Sequence, residues 1–183
     1  THLIEEFLKL GVNPSQVIAT EEWLQKNTLS ISNIDLGLIS EVSFNALKSA
    51  VSTKNPDGVA AIVEKSSIKK FNLENEDDFI LVLDRIQDPG NLGNLFRTAL
   101  AAGVNKILLG GGANPLSQKV LRSSCGSVFH MPYKRIEGDE NKICDELLDV
   151  LHDLSKKGFQ IVLASGANNS SEICPIPYWE LNW

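Results

Sequence analysis

With 183 residues the chain has room for one domain of ordinary size or two smaller ones. Its 43% hydrophobic content supports a buried core, yet no apolar run is long enough for a membrane-spanning helix. A net charge of −6 argues against broad attraction to nucleic acid and leaves that role to a local patch.

The opening run THLIEEFLKL is acidic and amphipathic, unlike a signal peptide. Leu3, Ile4, Phe7, Leu8 and Leu10 recur at helical spacing and predict a helix over 2–10, closed by Gly11. There is no initiator Met, so the chain is expected to be a fragment or a processed form. QVIATEEWL reads as a short strand and a helix start, with Thr20 as the cap. A single helix is expected over 39–51, capped at Ser43. The turn NPDG then leads into the strand VAAIVEK. This first unit ends near Ser66, and residues 67–78 read as a polar, aperiodic linker.

FILVLDRI (79–86) is a continuous apolar run, as in a strand covered on both faces of a parallel sheet. A helix is expected from about Leu92 to Ala102, stopped by Gly103. NKILLG gives a second strand, GGGANPLSQ a loop, and 119–124 a short helix. VFHMPY is expected as a third strand, 141–157 as an amphipathic helix, and FQIVLAS (159–165) as a fourth strand. Strands alternating with helices predict an α/β fold on a parallel sheet. Cys125, Cys144 and Cys174 form no CxxC pair, which argues against a zinc or disulfide framework. All three read as small core residues.

Chemistry concentrates in two stretches. DPGNLGNLFRTALAAG (88–103) places Asn91, Gly93 and Arg97 at a helix mouth, beyond the carboxyl end of a strand, where α/β sheets bind ligands. Gly93 and Arg97 are four residues apart and share a helix face. Arg97 leans back toward the N-terminus, over a glycine with no side chain to block it, and offers a fork that matches phosphate. The plainer alternative makes Asn91 a cap residue and Arg97 a surface ion-pairer. KVLRSSCGSVFHMP (119–132) adds Arg122, Ser124 and Gly126. An ordinary helix C-terminus would also use an arginine and a glycine there. The GGG of 110–112 lacks the GxGxxG pattern, which counts against a generic dinucleotide site.

Taken in order, the two stretches resemble the first two signature motifs of the SpoU/TrmH group, RNA 2′-O-ribose methyltransferases of the SPOUT class. The intervening AAGVNKILLGGGANPLS also looks like that family. The resemblance implies a parallel-sheet SPOUT-like catalytic domain over 79–183. More weakly, 1–66 resembles the ribosomal-protein-L30e-like α/β domain that precedes it, there a substrate-binding domain. The implied activity is methyl transfer from S-adenosylmethionine to a ribose 2′-hydroxyl of rRNA or tRNA. Carried over residue by residue, Asn91 and Arg97 are the catalytic pair. Gly93, Arg122, Ser124 and Gly126 face the RNA, and Ala164, Ser165 and Gly166 form one edge of the cofactor site. The family also implies a homodimer and a cytoplasmic or organellar setting. Its third motif, a Gly-Glu-Gly loop followed by an Asn/Ser-rich segment, is not found after residue 166. The expectation is therefore a chain without the knot-forming end, which binds S-adenosylmethionine poorly and in which a non-catalytic RNA-binding role is the alternative.

Overall fold

The computed structural model describes residues 2–32, 34–67, 70–72, 79–164 and 176–181. Helix α1 (His2–Leu8) ends ahead of Gly11, whose positive φ of 71° turns the chain away. Strand β1 (Gln16–Ala19) is followed by α2 (Glu21–Lys26), and the Thr20 hydroxyl accepts the Trp23 N–H at its start. A one-turn helix α3 (Thr28–Ile31) precedes strand β2 (Ile39–Glu41), helix α4 (Phe44–Ala50) and strand β3 (Val59–Ile62). β1 lies in the middle of this sheet, parallel to β2 and antiparallel to β3. Val17, Ala19, Trp23, Ile34 and Val59 form its core.

The single helix expected over 39–51 is two elements. Ile39 pairs with Val17 in the sheet, and only after Ser43 does the helix begin. The Ser43 hydroxyl accepts the Ala46 N–H at 3.2 Å. That bond satisfies one of the helix's unpaired first-turn donors, so Ser43→Ala should cost about 1 kcal/mol. In a chain of this size the melting temperature should drop by about 2–4 °C. Thermal denaturation of the variant measures it.

The second sheet is parallel throughout, in the order β4 (Ile80–Asp84), β5 (Lys106–Gly110), β6 (Tyr133–Ile136). β5 is central, and each of its residues is buried. Alternate side chains go to opposite faces of a strand. Ile107 and Leu109 accordingly join Leu92, Phe96 and Val120 on one side, while Leu108 joins Ile136, Ile143 and Leu147 on the other. The first side is covered by α5 (Pro89–Ala101), α6 (Gln118–Ser123) and α7 (Ser127–His130), the second by α8 (Glu140–Lys156). A sheet covered on both faces is what the unbroken apolar runs of β4 and β5 require.

Three expectations need correction here. VFHMPY is mostly not a strand: Gly126, with φ 85°, restarts the chain into α7, and Val128 and Met131 enter the α5 side of the core. The third strand starts after Pro132, at Tyr133. The run 159–164 belongs to no strand among the described residues, and Leu163 is 81% exposed. An apolar run has strand propensity, but pairing makes the strand, and no described segment offers it a ladder. Finally, Cys125 and Cys144 are exposed rather than core residues, while Cys174 lies outside the described residues. Cys125 sits at φ 50° in the tight link between α6 and α7, and Cys144 is on the solvent side of α8.

Candidate active site

The site grows from the junction of β4 and α5. Helix α5 begins three residues earlier than its periodicity suggests, because Asp88 caps it and Pro89 supplies a preset φ at its first position. The Asp88 carboxylate accepts the Asn91 N–H at 2.7 Å. This hydrogen bond, assisted by Lys119 at 3.5 Å, holds the Asp88 carboxyl below the usual Asp range. A carboxylate whose folded pKa is depressed stabilises the fold above its unfolded value, and that contribution is lost as pH falls through the folded one. Asp88 should therefore titrate below the ordinary Asp range. The Asn91 amide shift should follow the same curve in an NMR titration; a midpoint at or above the ordinary value contradicts the cap.

Beyond the cap, α5 sorts its residues by face. Leu92, Gly93, Phe96 and Ala99 are buried, while Asn91, Asn94, Arg97 and Thr98 are exposed. Arg97 has no hydrogen bond or ion pair among the described residues. Its guanidinium therefore stands free on a helix that starts beside the carboxyl edge of a parallel sheet. The Asn91 side chain is likewise free among the described residues, six residues nearer the helix mouth.

Gly93 has a different task from the one its spacing suggests. A Cβ built there falls 1.9 Å from Ser123 Oγ and 2.8 Å from the Ser124 backbone N. Its bare side thus faces α6, and the space is used for helix packing rather than for a path to Arg97. Ser123 Oγ seals the contact by donating to Pro89 O at 3.1 Å.

The second stretch sits on this packed pair. Ser124 is wholly buried, and its hydroxyl donates to Leu121 O at 3.0 Å. Arg122 is exposed and donates from Nη1 to Thr53 Oγ1 at 2.7 Å, in the loop after α4. Ser52 and Gln118 make a further close contact beside it. Gly126 accommodates α1: a Cβ there would lie 2.8 Å from the Glu6 Cβ. Phe7 meets Phe129 edge to face at 5.4 Å, and His130 Nε2 lies 3.1 Å from Glu6 Oε2. Arg122 and Gly126 therefore touch the first unit, while Asn91 and Arg97 both lie exposed on α5, six residues apart. Ala164 is exposed at the end of the run 159–164, whereas Ser165 and Gly166 lie outside the described residues.

Arg85 and Asp88 were not singled out by spacing. Arg85 is a non-glycine residue at φ 50°, directly after β4. It lines a cleft of about 610 Å³ with Ile86, Gln87, Asp88, Asn91 and Asn94. The available signal was the acidic–basic pair Asp84–Arg85, placed where an unbroken apolar strand gives way to a loop.

Residues 78–180 match the SpoU rRNA Methylase family. Among curated relatives, the 23S rRNA (guanosine(2553)-2′-O)-methyltransferase RlmP of Bacillus subtilis is 35% identical over 73% of this chain. The human mitochondrial rRNA methyltransferase 3 is 31% identical over 71% of it. The chain spans 51% of the first relative's length and 32% of the second's. The AdoMet-bound rRNA methyltransferase from Sinorhizobium meliloti superposes with a TM-score of 0.57 at 28% identity, covering 74% of this chain and 51% of that one.

Proposed function

The chain belongs to the SpoU rRNA Methylase family, and from that premise we propose that it serves methyl transfer from S-adenosylmethionine to a ribose 2′-hydroxyl of rRNA or tRNA. One observation carries the assignment to residues: Arg97 is an exposed guanidinium with no partner among the described residues, in the third turn of α5, the helix that opens at Asp88 and Asn91. When bound, the cofactor supplies an electrophilic methyl group. Ala164 is the one described residue of the proposed cofactor edge, and it is exposed.

What Arg97 does follows from its chemistry. A guanidinium stays protonated at any ordinary pH, so it cannot take the hydroxyl proton itself. It binds a substrate phosphate with its fork, orients the ribose, and steadies negative charge as the 2′-oxygen attacks. The proton leaves to that phosphate or to water. Asn91 adds a neutral donor and acceptor, which fixes the acceptor nucleotide against the helix mouth. Arg122, held by Thr53, supports the surface on which the first unit presents the RNA. Pairing of two copies through the methylase unit belongs to the same reading, and light scattering tests it. The function is tested by offering ribosomal RNA and labelled S-adenosylmethionine and counting transferred methyl. RNA that is bound but never methylated would favour a non-catalytic binding role instead.

A further inference from the structure

Arg85 is held in an unusual way. Its backbone lies in the left-handed region at φ 50°, which non-glycine residues adopt rarely. Its N–H donates to Gly110 O at 2.7 Å, which ties the strained residue to β5. Its guanidinium lies along the Asp84 carboxylate, Nε to Oδ1 at 2.9 Å and Nη2 to Oδ2 at 2.6 Å. Nη1 reaches Glu140 at 3.2 Å. Asp84 first, and then Glu140, push its pKa further up. The group is fixed on three of its nitrogens, yet it is 41% exposed and borders the cleft. Strain of this kind persists where the surroundings over-determine it, and it concentrates at ligand sites.

The rest of the cleft narrows the ligand class. It is an open depression of about 610 Å³ at the surface, which a flat ligand can cover without being enclosed. Around Arg85 stand three carboxylates, those of Asp84, Glu140 and Asp88. Arg85 is already paired with Asp84 and Glu140, and Lys119 with Asp88, so neither cation is left free for a phosphate. By contrast, Gln87, Asn91 and Asn94 present carboxamides with no side-chain hydrogen bond among the described residues, and Leu95 gives an apolar wall. A flat guanidinium, free carboxamide edges and an aliphatic wall suit an uncharged planar ring that carries donors and acceptors. Bases are recognised in single-stranded RNA by stacking on guanidinium planes and by hydrogen bonds along their edges.

We propose that this cleft seats a nucleobase of the substrate RNA, stacked on the Arg85 guanidinium and read at its edge by Gln87, Asn91 and Asn94. The inference rests on the RNA methyltransferase reading and adds a specificity site to it. Arg97 lies three residues beyond Asn94, about 4.5 Å further along the helix. A phosphate on Arg97 and a base in the cleft are thus within one nucleotide of each other.

The test is an NMR titration of the labelled chain with the four nucleoside 5′-monophosphates, with ribose 5-phosphate as control. The nucleotides should move the Arg85 Nε–H signal and the Gln87 and Asn94 side-chain amide signals, and ribose 5-phosphate should not. Arg85→Lys keeps the charge and loses the plane, so it should weaken nucleotide binding by at least about fivefold. Asn94→Ala, an exposed change that leaves the core intact, should alter the preference among the four bases. If ribose 5-phosphate and the nucleotides give the same shifts, confined to the Arg97 flank, the base site is overturned and the methyltransferase reading stands. If no compound shifts either place, both fail.

Discussion

Arg97→Ala should abolish methylation while leaving the protein folded. Loss of a charge-stabilising donor of this kind lowers turnover by about 10²–10³-fold. Arg97 is exposed and has no partner among the described residues, so its removal breaks no contact that stabilises the fold. Substitutions at such positions stay within about 0.5 kcal/mol, which here is about 1–2 °C in melting temperature. Arg97→Lys is the sharper variant. It retains the charge but loses the fork and should recover little activity if phosphate geometry matters. Parallel measurement of turnover and melting temperature separates this outcome from simple unfolding. Near-normal turnover by Arg97→Ala removes the residue from the mechanism.

Gly93→Ala should do the opposite and damage the fold. The new methyl would lie 2.8 Å from the Ser124 backbone N and from Ser123 Cβ. A rotating hydroxyl could relieve the contact with Ser123 Oγ, but a backbone nitrogen cannot move alone. Helix α6 must then retreat from α5, opening the core around Phe96 and Val120. Overpacking of this kind costs about 3 kcal/mol, or about 10 °C in melting temperature. Adding Ser123→Gly should restore only part of the loss, because the Ser124 backbone remains in the way. A Gly93→Ala protein that melts like the parent would show that α6 yields more easily than its packing suggests.

These two results separate what spacing revealed from what it did not. The β4–α5–β5 run was legible because a strand buried on both faces is apolar without interruption; the true start of α5 was not, because Asp88 and Pro89 precede the apolar repeat that begins at Leu92. Arg97 was legible as a cation set apart from the apolar positions Leu92, Phe96 and Ala99 of its helix. Gly93 was legible as important but not for its reason: a glycine in a helix marks a close approach without saying whether a ligand or another helix approaches. Gly126 shows the same ambiguity, since what it admits is Glu6 of α1, more than a hundred residues away in sequence. VFHM misled because its apolar side chains satisfy a core position equally well as a single helical turn or as a strand. Ile39–Glu41 misled in the reverse direction, where a pairing with β1 overrode the helical pattern that follows Ser43. Arg85 stayed hidden because its significance lies in a backbone angle and in partners contributed by β5 and α8.

The most direct measurement is of the product itself. Ribosomal RNA incubated with the protein and isotopically labelled S-adenosylmethionine is digested to nucleosides and resolved by mass spectrometry. Label is expected on the ribose as a 2′-O-methylnucleoside, formed by the parent protein and absent with Arg97→Ala. Label on a base, or a 2′-O-methyl product that persists undiminished in the Arg97→Ala protein, contradicts the assignment.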